Sequence, residues 1–340
     1  MARTVKVVPV EISWHSDLSI YASEAYLRTV SDEYGWLGGS DGLGRLQCVL
    51  PYSIMRKGVF RLVRFPVQTI SLGTGFDIDE ERKFLNEAVE YFRLIGSDLI
   101  IPATFNTLFR TYPDGAVIAP YGSYLLDLQQ SEEALWKNLH QKHRNVIRSA
   151  GKKGVRILSG KEHLETAYRL MLDSLGRSAQ SFIAKMRARL RRDYGAFRDQ
   201  VLALGGNVMV FVAEHEGVVQ SCAVIPFSSH SAYYMHGGSI SSPLTGASNL
   251  LQWEAIRELR ELGVRYYDFF GARIDPVKGS KAEGISKFKE RFGGRLKVGY
   301  MWKMPLRPWK TRLYSLAVRL RSGGDVVDQE GYKLKHCCPS

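Results

Sequence analysis

The sequence contains few cysteines and no long apolar run. Its 340 residues include four cysteines, none at a spacing typical of metal ligands, and too few for the disulfide framework of a small secreted protein. The N-terminus lacks an apolar segment of signal-peptide length, and no run approaches the length of a membrane-spanning helix. We therefore expect a cytoplasmic protein with no transmembrane segment and no bound metal.

Common catalytic signatures are also missing, and the charge is unbalanced. We find no nucleophile elbow, no Cys/His pair and no metal-binding cluster. There are 47 Lys and Arg residues against 34 Asp and Glu residues, which leaves a formal net charge of +13. Such a surface favours a polyanionic partner, whether nucleic acid, a phosphorylated substrate or an anionic membrane. An unspecialised basic surface is the plainer alternative.

Strand-like and helix-like periods alternate along the chain, which predicts an α/β fold with mixed sheets. The C-terminal residues 308–321 form a basic amphipathic pattern that is expected to return to the first part of the chain. A single long helix is predicted for 132–150, with Ser131 as its N-cap. The other predicted helices are 79–95, 161–176, 180–204, 247–262 and 281–292, and the predicted extended segments are 45–54, 59–65, 97–102, 116–128, 207–215, 218–227, 231–238, 264–270 and 295–303.

The basic segment at 139–154 is the first candidate for chemistry. Arg144 and Arg148 are four residues apart and share one helical face, and Lys152 follows one turn later. Neighbouring cations repel one another unless they face solvent or phosphates. Taken alone, the run is typical of a solvated helix face.

Two glycine-containing segments are further candidates. Gly246-Ala247-Ser248 opens a predicted helix, where small residues let backbone N–H groups approach an anion. GNAT acetyltransferases hold the pyrophosphate of coenzyme A at this point, although a plain N-cap turn is an equal interpretation. Later, Phe288 and Phe292 at positions i and i+4 predict a core-facing stripe, and the pattern alone makes Lys289 an ordinary surface lysine.

Together these segments resemble the FemABX family of tRNA-dependent aminoacyltransferases. The shared marks are Lys-x-Arg-Asn-x-x-Arg-x-Ala-x-x-x-Gly, Tyr-Asp-Phe-x-Gly and Phe-Lys-x-x-Phe-Gly-Gly, which occur in that order within residues 139–294. The resemblance implies two GNAT-like acyltransferase domains in tandem, without the coiled-coil insertion of larger members. The first comprises 1–150 plus 306–340 on the acceptor side, and the second comprises 151–305 on the catalytic, aminoacyl-tRNA side.

The resemblance also implies roles for individual residues. Phe288 and Lys289 are expected at the reaction centre, where a fixed ammonium stabilises the oxyanion formed when an amine attacks an aminoacyl ester. Glu214 and Asp268 are both open as the base. The residues implied for tRNA binding are Lys142, Arg144, Arg148 and Lys152, and those implied for substrate binding are Arg191, Tyr194, Tyr234 and Asp268.

The implied co-substrate is aminoacyl-tRNA, with no other cofactor, and the acceptor stays open. Residues 25–30 differ from the segment that cell-wall members carry near the N-terminus. The acceptor amine is therefore expected on a UDP-muramyl-peptide, a lipid-linked precursor, or a peptidyl nucleoside or other antibiotic intermediate. Two other functions remain open: an acyl-CoA-dependent N-acyltransferase, and a nucleic-acid-binding or regulatory protein with a degenerate catalytic fold.

Overall fold

The computed structural model describes residues 6–73, 76–105, 107–178 and 193–336. They form a mixed α/β fold, as the sequence predicts. The first part of the chain is rich in strands. Its elements are β1 (Lys6–Val10), a 3-10 helix (Ile20–Ala22), α1 (Glu24–Val30), β2 (Glu33–Ser40), β3 (Leu46–Lys57), β4 (Phe60–Phe65), β5 (Ile70–Ser71), α2 (Ile78–Leu94), β6 (Leu99–Pro102) and β7 (Val117–Asp127).

The second part alternates helices with strands. Its elements are α3 (Glu132–Asn138), α4 (Gln141–Lys152), β8 (Arg156–Ser159), a 3-10 helix (Lys161–His163), α5 (Leu164–Ser178), α6 (Tyr194–Ala203), β9 (Val208–His215), β10 (Val218–Pro226), β11 (Ser231–Tyr233), β12 (His236–Ser239), α7 (Ala247–Glu261), β13 (Tyr266–Asp268), α8 (Lys281–Arg291), β14 (Arg295–Pro305), α9 (Pro308–Ser322) and α10 (Val326–His336).

The described strands assemble into a large and a small sheet. The large sheet has the order β1-β2-β3-β4-β6-β14-β7-β13-β11, with β5 paired to β3, and the small sheet has the order β12-β10-β9-β8. β7 pairs antiparallel with both β13 and β14, so strands from both parts of the chain share one sheet. The division into 1–150 plus 306–340 and 151–305 stays a prediction.

The large sheet is covered by α2, which forms where the sequence predicts it. Asp77 and Glu80 form a capping box at its N-terminus, and its apolar face is buried against the sheet through residues such as Phe84 and Phe92. Each ring of this size contributes about 1.5–3 kcal/mol when removed from water. The burial fixes β3, β4 and β6 beneath the helix.

A second core joins α4, α7 and α8 to both sheets. It includes Ile147 of α4, Ile256 of α7, Tyr267 of β13 and Phe292 at the end of α8, all of them buried. Because one cluster contains all four, the basic helix α4 is held directly beside the strand end and the helix that carry the other two motifs.

The predicted single helix at 132–150 is wrong, because the helix breaks in the middle. Ser131 caps α3 as expected, but Leu139 and His140 are extended and α4 starts after them. The backbone N–H of His140 donates to the carbonyl of Arg291 at 2.8 Å. This bond docks the start of α4 on the end of α8, which an unbroken helix would prevent.

The predicted strand at 231–238 is also wrong, since it is two strands in different sheets. β11 pairs in parallel with β13, whereas β12 pairs antiparallel with β10. Tyr234 and Met235 connect the two sheets, which separate at this point. The predicted strand 264–270 ends early, at Asp268, because Phe270 takes a positive φ of 60°.

The C-terminal amphipathic helix, α9, contacts the first part of the chain through Lys310. Lys310 Nζ donates to the carboxylate of Asp98 at 3.0 Å and to the carbonyl of Val59 at 3.1 Å. Asp98 is buried, so a charged partner offsets the cost of its desolvation. Among the residues described, no helix has the length and apolarity required to cross a membrane.

Glycines with positive φ flank α7 at both ends, but only the first of them is in contact with α4. Gly246 precedes α7 with a φ of 92°, and a Cβ there would overlap the carbonyl of Val146 in α4. Gly263, just after α7, has a φ of 77° and open space around the same position. We expect Gly246→Ala to lower the free energy of unfolding by about 3 kcal/mol, and Gly263→Ala by only about 1 kcal/mol. Urea unfolding measures both, and equal losses would contradict the packing argument.

Candidate functional site

The candidate site is built around the turn that follows β13. Phe270 and Gly271 both have positive φ values, 60° and 36°. The turn is anchored by two hydrogen bonds between the backbones of Gly122 and Ala272, at 2.6 and 2.9 Å. A Cβ at Gly271 would lie 2.6 Å from the Cβ of Phe105, so a glycine is needed there. The conformation aims two successive carbonyl groups at α8.

Lys289 of α8 receives these carbonyl groups. Its Nζ donates to the carbonyl oxygens of Phe270 and Gly271, the latter at 2.6 Å. The residue is only 6% exposed. Burial lowers the pKa of Lys289 to about 8, while the charge of Asp268 opposes the shift. An ammonium has three N–H donors, and no third acceptor lies among the residues described.

Asp268 lies on the other side of the same turn. One carboxylate oxygen accepts from the hydroxyl of Ser123 and from the backbone N–H of Phe270, the latter at 2.7 Å. Burial raises the pKa of Asp268 to about 6, although both hydrogen bonds favour the charged form. Its second oxygen has no partner in the described part of the chain. Asp268 and Lys289 therefore hold the N–H and the carbonyl of one residue, Phe270.

Two of the cavities beside the turn are lined by the candidate side chains. The first, of about 630 Å³, is lined by Lys289, Phe288 and Tyr234 and lies where the two sheets separate. The second, of about 310 Å³, is lined by Asp268, Ser123 and residues from both parts of the chain. The second cavity's other lining residues are Val67, Gln68, Leu108, Leu125, His230, Ser231, Tyr233, Tyr266 and Lys297.

The predicted catalytic and substrate-binding residues are only partly brought together. Phe288, Lys289 and Tyr234 share the first cavity, whereas Asp268 lines the second cavity on the other side of the turn. Tyr194 is elsewhere, with its ring 5.3 Å from that of Tyr168. Arg191 lies outside the described residues.

Glu214, the other candidate base, has a different environment from Asp268. It pairs with Arg156 at 2.7 Å on the neighbouring strand β8 of the small sheet. It lines neither of the two cavities beside the turn. Of the two carboxylates, Asp268 is therefore the one that lines a cavity beside the turn.

The four cations predicted to bind tRNA differ in their surroundings. Lys142 and Lys152 are exposed. Arg148 is also exposed, with its guanidinium 5.2 Å from the ring centre of Trp136. Arg144 instead donates to the carbonyls of Lys137 and Leu139, at 2.8 and 2.6 Å, and so satisfies the end of α3. Lys142, Arg148 and Lys152 are thus available to a ligand, whereas Arg144 stabilises the C-terminal end of α3.

His143 of α4 contacts the aromatic residues at the end of α8. Its ring centre is 4.7 Å from that of Phe292 and 5.3 Å from that of Phe288. Burial, with Arg291 nearby, lowers the pKa of His143 to about 4, so the ring is neutral at physiological pH. The neutral ring joins the basic helix to the Phe-Lys motif without adding a buried charge.

Known proteins share both the sequence and the fold of this region. Residues 137–289 match the model of the acetyltransferase (GNAT) domain family. Lipid II:glycine glycyltransferases of Staphylococcus epidermidis and Staphylococcus aureus are each 34% identical to this chain over 100 residues, which are 28% and 27% of this chain and 24% of each relative. The crystal structure of FemX matches 91% of this chain and 99% of its own, with a TM-score of 0.65 and 15% identity.

Through these matches the chain is similar to Fem and GNAT proteins in fold, and over part of its length in sequence. The tandem GNAT-like architecture predicted for it is thereby confirmed. The C-terminal domain of a putative lysylphosphatidylglycerol synthetase from Agrobacterium fabrum shares the fold more distantly, with a TM-score of 0.51 at 14% identity over 88% of this chain and 92% of that one. The chain aligns with about a quarter of the length of the curated relatives that it matches.

Several parts of this candidate site are not evident from the sequence. Ser123 is 145 residues from Asp268, and it follows no motif. His230 and Lys297 both line the second cavity. His230 directly precedes β11, whereas Lys297 belongs to β14. The carbonyls of Phe270 and Gly271 are backbone groups, and their local sequence signal is a glycine that follows five aromatic or acidic residues.

Ser123→Ala tests whether the serine tunes the carboxylate. The hydroxyl stabilises the charged form of Asp268, so its removal should raise the pKa further above about 6. Ser231→Ala is the matched control, because Ser231 lines the same cavity without a hydrogen bond to Asp268. Carbon-13 NMR titration of the aspartate carboxyl groups measures the shift. A pKa unchanged by Ser123→Ala, or moved equally by the control, would refute this role.

Proposed function

We propose that this protein is an aminoacyltransferase that moves an amino acid from aminoacyl-tRNA to the amine of a small acceptor and forms a peptide bond. The observation that carries the proposal is the buried ammonium of Lys289, held by two backbone carbonyls at the edge of a cavity. A positive group fixed in this way is suited to a reaction in which negative charge develops on a carbonyl oxygen.

The chemistry requires little beyond positioning and charge. The acceptor nitrogen attacks the ester carbon, and the electrons of the carbonyl bond move to its oxygen, which the Lys289 ammonium stabilises. Collapse of this intermediate restores the carbonyl and breaks the bond to the tRNA ribose oxygen, which takes up a proton. The attacking amine must lose a proton, and the carboxylate of Asp268, on the other side of the turn, is the acceptor that we propose for it. The ester is already activated, so a covalent enzyme intermediate is unnecessary.

The acceptor amine is assigned to the cavity beside Asp268. The free carboxylate oxygen there can accept a hydrogen bond from an ammonium, and the pKa near 6 leaves the group charged at neutral pH. The names of the Staphylococcus relatives indicate glycine as the transferred residue and lipid II as the acceptor. We infer a peptidoglycan precursor peptide as the acceptor class, with a lipid-linked form favoured.

The donor is assigned to aminoacyl-tRNA rather than to an acyl-CoA. Lys142, Arg148 and Lys152 form an exposed basic face on α4, which suits a phosphate backbone. The glycine at the start of α7 has a packing role that explains it without a pyrophosphate, since Gly246 lies against Val146 of α4. These two observations support tRNA as the donor.

Lys289→Ala tests the catalytic assignment. We expect turnover to fall by about 10² or more, because the oxyanion loses its fixed charge, while affinity for tRNA stays nearly constant. Lys287→Ala is the matched control: it lies on the same helix but is exposed and paired with Glu283 at 2.6 Å. Single-turnover rates and filter binding measure the two quantities. Wild-type turnover in the Lys289 variant would remove this residue from the site.

The donor is tested with total tRNA charged with radiolabelled amino acids. The protein is incubated with this donor and with either a muramyl-pentapeptide nucleotide or lipid II. Transfer to the acceptor amine is expected, and pretreatment of the donor with RNase should abolish it. Labelled acyl-CoA serves as the competing donor. Transfer that survives RNase and depends on the acyl-CoA would overturn the proposal.

A further inference from the structure

The helix α9 exposes its apolar side to solvent. Trp309, Leu313, Leu316 and Leu320 follow one another at intervals of four, three and four residues, so they form one stripe along the helix. Their exposed fractions are 65, 52, 55 and 81%. A stripe of this kind on a surface helix normally faces the protein core.

The opposite face of α9, which contacts the protein, is the more polar one. Lys310 bonds to Asp98 and to the carbonyl of Val59, and the ring of Tyr314 packs edge-on against Phe60 at 5.5 Å. The helix is thus fixed by an ion pair and a ring contact, and not by its leucines. The orientation leaves the leucine stripe free in the part of the chain that is described.

The surroundings of the stripe are cationic. The sequence of α9 contains no acidic residue, and Arg312 and Arg319 are exposed beside the leucines. The adjoining tip of the β3–β4 hairpin adds Arg56 and Lys57, also exposed, and Lys57 lies over the ring of Tyr314 at 5.7 Å. Val59 at the same tip is 72% exposed.

We propose that this face, formed by α9 and the hairpin tip, docks on the surface of an anionic lipid bilayer. An interfacial helix buries its apolar side among the acyl chains while flanking cations meet the headgroups, and a tryptophan is favoured at that boundary. Arginine and lysine near such a surface are attracted by the negative charge of its headgroups. The stripe, its cations and its lack of acidic residues match this combination.

Two other occupants fit less well. A second copy packed symmetrically on α9 would bring Arg312 and Arg319 against the same residues of its partner, which is repulsive. Nucleic acid would satisfy the cations but would leave four large apolar side chains without a partner. A bilayer accommodates both features.

A cavity connects the docking face to the turn of the candidate site. Tyr314 and Val318 of α9 line a third cavity, of about 580 Å³, whose far wall includes Phe270 and Gly271. The carbonyls of these two residues hold Lys289. If the proposed function is correct, the face would therefore bring the enzyme to a lipid-linked acceptor at the membrane surface. Bilayer binding itself does not depend on that function.

Vesicle flotation with the full chain tests the proposal. The probes are vesicles of phosphatidylcholine alone and of an equal mixture with phosphatidylglycerol. We expect binding to the mixed vesicles, little binding to the neutral ones, and weaker binding at high salt. The double variant Leu313→Ser/Leu316→Ser should lose about tenfold or more in affinity, since its apolar area no longer inserts. Arg312→Gln/Arg319→Gln should lose the preference for anionic vesicles.

Leu262→Ser is the matched control, because Leu262 follows α7 and has the same 55% exposure as Leu316. Circular dichroism establishes that each variant is folded, and analytical ultracentrifugation gives the oligomeric state. Failure of the wild-type protein to bind anionic vesicles, or equal binding by the leucine double variant, would overturn the proposal. So would a wild-type dimer that this variant converts to a monomer. Transfer to a soluble acceptor, measured separately, tests the proposed function.

Discussion

The buried ammonium of Lys289 is the constraint around which the candidate site is arranged. A charge removed from water is costly unless dipoles or an opposite charge replace its hydration. The turn after β13 supplies two carbonyl dipoles, and Asp268 supplies a nearby negative charge. Ser123 and the N–H of Phe270 in turn hold that carboxylate. The left-handed backbone of the turn is therefore required by the charge that it surrounds.

The same region is where the two sheets separate. β11 and β12 follow each other in the chain but join different sheets, and the connection through Tyr234 opens one of the flanking cavities. The other cavity is closed by residues from the first part of the chain. Because β7 pairs with both β13 and β14 in one sheet, the two parts of the chain that line these cavities are held in fixed positions. A two-substrate reaction needs this kind of rigid junction.

The exposed cations occur in at least two different surroundings, one on α4 and one on α9. On α4 the exposed cations stand beside the core that carries the Phe-Lys motif, and they suit a polyanionic donor. On α9 the cations flank an exposed apolar stripe, and they suit a lipid surface. Net charge alone cannot separate these uses, because it carries no information about the apolar groups placed beside each cation.

The sequence by itself determined the fold class and the approximate bounds of elements such as α2, β9 and α8, because a helical or strand period is set by residues only a few positions apart. It also contains the three motifs that resemble the FemABX family. It did not determine the break at Leu139 and His140, which contains neither Pro nor Gly, nor the burial of Lys289, which its local pattern predicts on the surface. Ser123 meets Asp268 across 145 residues. Only the tertiary structure decided these features, since they depend on what packs against each residue and not on its neighbours in the chain.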